Sequence, residues 1–209
     1  MSRELELLKE AVKILEEKEE RMQVACYSET GKFELSTLKP GDVFKIGDHD
    51  FIVLEQMTGS TAVISKDFMA EDVMFDEDTR DYNKSSLKKL MDDEILKEIE
   101  AAVGMNNVVE HEVSLTSVDM QNEFGTCRCK VRPITFDEAR KYNDLLVNKD
   151  LPDWYWTCTP WSTKERGWEY SIAVVSGTGD FNCRNCRIDN GVRPFCILKS
   201  NIFVSRGEN

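Results

Sequence analysis

The sequence predicts an α+β fold, and three observations lead to this class. Short apolar segments separated by tight turns begin at Phe33, which is typical of strands. Two segments with apolar residues at a three-four spacing, typical of amphipathic helices, follow Ser85 and Thr135. A third segment of this kind, without Gly or Pro, covers residues 3–22. We therefore expect strands and two helices in residues 28–209, preceded by a separate helix.

The N-terminal segment, residues 1–27, is predicted to be an amphipathic helix. Leucine, valine and methionine recur at a three-four spacing, and Glu and Lys fill the remaining positions. An isolated helix of this length is only marginally stable in water. We therefore expect it either to dock on the protein itself or to pair with a second copy in a homo-oligomer. Residues 28–32 break the pattern, so a single main domain is predicted for residues 28–209.

The main domain is predicted to open with a three-stranded meander. Residues 43–46 and 51–54 are apolar and are joined by Gly-Asp-His-Asp, which predicts a hairpin. Residues 61–65 have the composition of a third strand. The segment from residue 71 to residue 81 is strongly acidic, and its composition predicts a solvated loop.

The two helices of the main domain have recognisable ends. Ser85 or Ser86 is expected to cap the first helix, and Gly104 to end it. Thr135-Phe-Asp-Glu138 has the pattern of a capping box at the start of the second helix. After this helix the chain is predicted to consist of strands and loops.

Charge and hydropathy exclude several classes of function. The net charge is −12, and residues 1–100 carry 25 acidic and 14 basic side chains. Direct binding of nucleic acid is not expected, because it depends on Lys and Arg at the phosphates. No apolar run approaches the roughly 20 residues that span a bilayer, so we expect no membrane segment. The first residues lack the features of a signal peptide, which predicts a cytoplasmic protein.

The seven cysteines are expected to be reduced. Their number is odd, and no secretory signal accompanies them. The single-residue gap in Cys127-x-Cys129 is poor spacing for a zinc knuckle. We therefore expect no metal and no cofactor. The two histidines, His49 and His111, have no recognisable catalytic partner in the sequence.

An aromatic cluster carries most of the functional information. All four tryptophans lie between residues 154 and 168. We expect Trp154 and Trp156 to belong to the core and the later aromatic residues to face a ligand. Tryptophan and arginine dominate binding hot spots. The predicted binding residues are therefore Trp161, Arg166, Trp168, Arg184 and Arg187.

The chain resembles a known family, most clearly in its closing third. Residues 154–160 read Trp-Tyr-Trp-Thr-Cys-Thr-Pro, a strand and a Gly-x-Gly hairpin follow, and residues 190–198 read Asn-Gly-Val-Arg-Pro-Phe-Cys-Ile-Leu. This order resembles an uncharacterised domain family of Firmicutes and their phages, marked by Trp-Trp-Leu-Arg-Ser-Pro and Gly-Val-Arg-Pro-Ala segments. The resemblance covers about residues 33–200. The ending is also similar to C-type-lectin-like and formylglycine-generating-enzyme folds, which implies a twisted antiparallel sheet with two flanking helices.

Three residues of the closing motif are predicted to have structural roles. Gly191 is expected to adopt a backbone conformation that is closed to other residues. Arg193 lies in an apolar stretch and is expected to donate to main-chain carbonyls or a carboxylate. Pro194 cannot donate to a ladder and is expected on an edge strand or at a bulge.

Three functions are compatible with these features. The first is a non-enzymatic interaction module of bacterial or phage origin for a protein or glycan ligand. The second is a copper-using, cysteine-dependent oxidase related to the formylglycine-generating group. It would use Cys183 and Cys186, with thiol pKa values lowered by the flanking arginines. The third is an acidic inhibitor of a host defence or nucleic-acid-binding protein, acting through the surface between Glu71 and Glu100. The first is preferred, because no catalytic constellation is visible.

Overall fold

The structure, a computed structural model, describes residues 31–207, and its fold is α+β, built mainly from antiparallel sheets. The predicted helix of residues 1–27 lies outside the described residues. None of the helices between residues 31 and 207 is both long and apolar enough to cross a membrane. The strands are β1 (Phe33–Glu34), β2 (Val43–Ile46), β3 (His49–Met57), β4 (Ser60–Ser65), β5 (Ala70–Met74), β6 (His111–Ser114), β7 (Thr126–Cys129), β8 (Val131–Pro133), β9 (Tyr155–Pro160), β10 (Ser171–Val175), β11 (Phe181–Asn185), β12 (Asp189–Val192), β13 (Pro194–Lys199) and β14 (Phe203–Arg206).

The strands form two large sheets and a separate hairpin. The seven-stranded sheet has the order β1-β14-β2-β3-β4-β13-β8, and the five-stranded sheet has the order β11-β10-β9-β12-β5. Strands β6 and β7 pair only with each other among the strands of residues 31–207. The predicted meander is confirmed as β2, β3 and β4, which pair antiparallel in sequence order. The sheet expected from the resemblance is thus divided into separate sheets, which meet where β12 leads directly into β13.

The helices lie in two groups, as the sequence predicts. The first group is α1 (Ser86–Leu90), a π turn (Met91–Ile95) and α2 (Leu96–Val103), which follow one another without a break. The second group is α3 (Phe136–Lys141) and α4 (Asn143–Leu146). Single 3-10 turns lie at Leu35–Thr37, Tyr82–Lys84 and Met105–Asn107.

Each face of the seven-stranded sheet is covered by one helical group. Successive side chains of a strand point to opposite faces, so Phe44 and Ile46 belong to one core cluster and Val43 to the other. The first cluster includes the buried residues of α1, the π turn and α2, and the second includes those of α3 and α4. The five-stranded sheet contributes Trp156 to the first cluster and Tyr155 to the second.

The π turn keeps the apolar face of the first helical group pointing at the sheet. Leu87, Met91, Ile95 and Ile99 recur every four residues, and all four are buried. In a straight α-helix each such step would rotate the side chain about 40° further, so the stripe would leave the sheet. The wider π turn removes part of this drift.

The predicted helix caps are confirmed. The Ser85 side chain accepts a hydrogen bond from the Lys88 amide at the start of α1. Gly104 ends α2 with φ +92°, a value that favours glycine. Thr135 and Glu138 form the predicted capping box at the start of α3.

Only part of the acidic segment forms the loop that its composition predicts, since residues 75–81 are irregular and the residues before them form a strand. Residues 70–74 are β5, an edge strand that pairs with β12, and Phe75 after it is fully buried. Charged side chains are common on edge strands, where they discourage pairing with another chain. Asp76 then accepts hydrogen bonds from the amides of Thr79 and Ser86, so it fixes the path of the chain into α1.

Candidate functional site

An open cleft of about 390 Å³ lies between β6 and the start of α3. Most of its lining side chains carry hydroxyl or carboxylate groups, and the only large exposed apolar side chain among them is that of Met120. Clefts of this volume lie in the range of small-ligand sites. The polar lining residues are His111, Glu112, Ser114, Thr116, Arg132, Thr135, Asp137, Glu138 and Thr159.

A buried ion pair forms the floor of the cleft. The Arg132 guanidinium, 2% exposed, donates from Nη1 and Nη2 to the two carboxylate oxygens of Glu138 at 2.7 and 2.6 Å. Its Nε donates to Nε2 of His111 at 3.1 Å, and its face stacks on the Phe195 ring at 4.3 Å. His111 Nδ1 donates to the Val109 carbonyl at 3.2 Å, so the imidazole carries its proton on Nδ1.

The pKa values of these groups follow from this geometry. Burial lowers the pKa of His111, and the charge of Arg132 lowers it further, so the imidazole is neutral. Burial by itself would raise the pKa of Glu138. The hydrogen bonds and charge of Arg132, together with hydrogen bonds from Thr135, outweigh it and hold that pKa below its ordinary value. The carboxylate is therefore ionised at neutral pH.

An aromatic cluster adjoins the cleft. The rings of Trp161 and Trp168 lie 6.3 Å apart, and Phe136 packs edge-on against Trp161 at 6.5 Å. The Phe136 amide donates to the Thr159 hydroxyl of the cleft wall at 3.0 Å, which joins the cluster to the cleft. Trp168 is 40% exposed. We call Trp161 and Trp168 the tryptophan pair.

The side chain of Asp119 fixes the position of the loop that contains Met120. Its carboxylate accepts hydrogen bonds from the hydroxyls of Ser117 and Ser162, both at 2.6 Å, and pairs with Arg166. These hydrogen bonds, from Ser117 first and then Ser162 and Arg166, lower the pKa of Asp119 to about 2. Arg166, a predicted binding residue, therefore holds this loop in place.

The other two predicted binding arginines have partners of their own. Arg184 pairs with Asp153 at 3.3 Å and lies over the Trp154 ring at 5.7 Å. Arg187 donates to the Glu77 carbonyl and stacks on Tyr170 at 4.1 Å. The structure thus brings together Trp161 and Trp168, while Arg166, Arg184 and Arg187 make contacts with other parts of the chain.

Trp154 and Trp156 differ in their environment. Trp156 is fully buried, and its indole nitrogen donates to the Val73 carbonyl at 2.7 Å. Trp154 is only partly buried and packs against the same core cluster. Both positions agree with the expected contribution to the core.

Cys183, in the middle of β11, and Cys186, directly after this strand, are free thiols. Burial raises the pKa of both, and the charge of Arg187 offsets this only in part at Cys186. The expected lowering of their pKa values by flanking arginines is therefore wrong. Within residues 31–207, no group of three or more His, Cys, Asp or Glu side chains is arranged to hold a metal ion.

The segment that runs from β12 into β13 contains Gly191, Arg193 and Pro194. Arg193 donates from Nε to the Ser65 carbonyl and from Nη1 to the Leu146 carbonyl, both at 2.9 Å. Gly191 does not have the special backbone conformation expected of it. A Cβ there would instead lie 2.2 Å from the Phe68 ring. Pro194 is on neither an edge strand nor a bulge. It is the first residue of the interior strand β13, where its missing amide breaks no ladder bond.

Gly191→Ala is expected to lower the free energy of unfolding by about 1–3 kcal/mol, because the new methyl group forces the Phe68 ring to move. Urea unfolding measures this cost. In a Phe68→Ala background the same substitution should cost markedly less, since the obstructing ring is gone. Equal costs in both backgrounds would contradict the steric explanation.

Several site residues were not identified from the sequence. Arg132 stands in a Val-Arg-Pro triplet that repeats as residues 192–194, and the prolines of the two triplets pair where β8 meets β13. This repeat was the available signal, and both arginines are fully buried or nearly so. Glu138 was recognised only as a helix cap. Its ion pair with Arg132 depends on the packing of α3 against β8.

The comparisons with known proteins give no relative for the chain. It matches no family model, and no curated protein or solved structure shows significant similarity to it.

Proposed function

We propose that the protein is a non-enzymatic, cytoplasmic binding module whose ligand is an oligosaccharide, held in the cleft and on the tryptophan pair. The observation that carries this proposal is a polar cleft of about 390 Å³ whose wall residue Thr159 is joined through Phe136 to two neighbouring indole rings. Hydroxyl and carboxylate groups can exchange hydrogen bonds with sugar hydroxyls. Indole rings offer broad apolar faces for the carbon-bound side of a sugar ring.

Binding is favoured over catalysis by the hydrogen bonds of His111 and Glu138, the two partly buried acid–base groups of the cleft. Both nitrogens of His111 are engaged, one with Val109 and one with Arg132. Both oxygens of Glu138 are engaged by Arg132, and Oε2 also accepts from Thr135. General acid–base catalysis needs a group that is free to exchange a proton with a substrate. These groups instead hold the floor of the cleft rigid.

We also propose a C-type-lectin-like architecture and membership of the Firmicutes and phage family that the sequence resembles. The motif residues Trp156, Gly191 and Arg193 are all buried at the centre of the fold, which supports a shared structural role for the motifs. The cytoplasmic location is supported by the thiols. The six cysteines of the described part of the chain are free, the state that a reducing compartment maintains.

The proposal is tested by probing an array of defined oligosaccharides with the labelled full chain, followed by titration calorimetry with the best ligand. Trp168→Ala is expected to weaken that binding by at least about tenfold, because it removes an exposed stacking face. Trp168 is 40% exposed, so its removal should leave the thermal midpoint of unfolding nearly unchanged.

Phe203→Ala is the matched control, because Phe203 is an aromatic residue that is 53% exposed on β14, outside the cleft and the tryptophan pair. This variant should bind as the wild type does. Equal affinity of the Trp168→Ala variant would contradict the proposed site. Binding of a protein and of no oligosaccharide, lost in Trp168→Ala, would keep the site and replace the ligand class.

A further inference from the structure

A second pocket, of about 250 Å³, lies where β5 meets β12. It shares no lining residue with the cleft, so it is independent of the proposed function. Its lining is mainly polar and acidic and includes one aromatic ring. The lining includes Phe68, Glu71, Asp72, Asp153, Asn190 and Gly191.

The most informative residue in this pocket is Asn190. Its side chain is 2% exposed, and neither Oδ1 nor Nδ2 has a hydrogen-bond partner. Leaving a buried amide unpaired is unfavourable, and such groups are rare in folded proteins. A ligand that offers a donor and an acceptor side by side would satisfy both atoms. The main-chain N–H and C=O of one residue in an extended segment have this arrangement, because they point to the same side.

A bulge brings two carboxylates to the same pocket. Asn190 pairs with Val73 and Val192 with Ala70, so Glu71 and Asp72 together face the single residue Gly191. Adjacent strand residues normally point to opposite faces. Asp72 departs from strand geometry, with φ +52°, and both carboxylates line the pocket. Bulges often re-aim side chains in this way near functional sites.

These two carboxylates have no cationic partner among residues 31–207. Asp153, the third carboxylate of the pocket, already pairs with Arg184. Glu71 and Asp72 form no ion pair with a described residue, and both are exposed. Two adjacent unpaired carboxylates beside the Phe68 ring favour a planar cation, because guanidinium binds carboxylates in a bidentate manner and stacks on aromatic faces.

We propose that this pocket binds an arginine residue of a peptide. The guanidinium pairs with Glu71 and Asp72 and stacks on Phe68, and the main-chain N–H and C=O of an extended residue pair with Oδ1 and Nδ2 of Asn190. Gly191 makes room for this arrangement, since any Cβ there would displace the Phe68 ring. The partner is therefore a protein segment with an accessible arginine.

Three small probes separate the parts of this proposal. The first is Nα-acetyl-arginine methylamide, which has both the cation and the peptide groups. The second is agmatine, which keeps the guanidinium and lacks a peptide group. The third is Nα-acetyl-citrulline methylamide, which keeps the peptide groups and has a neutral urea. Each is titrated to millimolar concentration into the ¹⁵N-labelled full chain, and the side-chain amide resonances of Asn190 are followed.

The arginine probe is expected to shift the Asn190 amide resonances, agmatine to bind at least about tenfold more weakly, and the citrulline probe not to bind. Equal affinity for agmatine would overturn the pairing with Asn190. Equal affinity for the citrulline probe would overturn the role of Glu71 and Asp72. No response to any probe would overturn the site.

Two variants test the residues directly. Asn190→Leu is expected to abolish the response to the arginine probe, followed in this variant at the backbone amide of Gly191, without lowering the thermal midpoint of unfolding, because no hydrogen bond within the described chain is lost. A lowered midpoint would instead indicate a structural role. The Glu71→Gln, Asp72→Asn double variant should lose binding while the fold is kept, since asparagine tolerates a positive φ.

The control is the Glu77→Gln, Asp78→Asn double variant, which removes the same two charges from an exposed position outside the pocket. It is expected to keep binding. An equal loss in the control and in the pocket variant would show that only the general negative charge attracts the probe, which would overturn the proposal.

Discussion

Replacing Glu138 with alanine is expected to lower the free energy of unfolding by about 3–5 kcal/mol, because it leaves the Arg132 guanidinium buried without its counter-ion. The substitution also removes the carboxylate of the capping box at the Thr135 amide. Urea unfolding at neutral pH measures the loss. Asp137→Ala is the control, because its exposed side chain should change stability by no more than about 0.5 kcal/mol.

The same ion pair predicts a pH dependence. The folded protein holds the pKa of Glu138 below its value in the unfolded chain, so the ionised form stabilises the fold. This contribution is complete above the ordinary carboxyl pKa of about 4.3 and is lost as the pH falls through the lower pKa of the folded state. The difference in stability between the wild type and Glu138→Gln should therefore shrink below about pH 4. A constant difference would contradict the linkage.

Arg193→Ala is expected to cost about 3–5 kcal/mol, for a different reason. Arg193 is fully buried and donates to the carbonyls of Ser65 and Leu146, at the ends of β4 and α4. Its face lies over the Tyr155 ring at 4.9 Å, and burial lowers its pKa. Truncation leaves two buried carbonyls unpaired and opens a large cavity.

Arg193→Met separates these two contributions. Methionine refills much of the volume and removes the buried charge, but it cannot donate to the two carbonyls. It is expected to recover at least about 1 kcal/mol relative to alanine and to remain less stable than the wild type. If Arg193→Met unfolds at the same urea concentration as the wild type, the hydrogen bonds of Arg193 contribute no net stability.

The sequence predicts well those elements whose signals are local. The meander of β2, β3 and β4, the Ser85 cap and the capping box at Thr135 each depend on residues a few positions apart. The prediction of a loop is wrong for the residues of β5, and the reason is physical. Its acidic composition suits a loop and an exposed edge strand equally well, and only its pairing with β12 decides between them.

The sites depend on contacts that a single sequence does not display. Asn190 meets Val73 through strand pairing, and its unpaired amide has no signature in the sequence. The structural role predicted for Gly191 is correct, but its physical cause differs from the one that the sequence suggests. The residue is required by the approach of Phe68, which is distant in sequence, and not by its own backbone angles. The tryptophan pair was recognisable because both of its members lie in one short segment.

The order of strands in the seven-stranded sheet has a consequence for the way the chain folds. β14 lies between β1 and β2, and β13 lies between β4 and β8. The last two strands of the chain therefore insert between strands that are synthesised much earlier. During synthesis, β2, β3 and β4 can form a meander, but both of its outer edges stay open until residues 194–206 are added. Pairings between distant segments form slowly, and open edges invite aggregation. Fragments that end before residue 194 should therefore depend on chaperones.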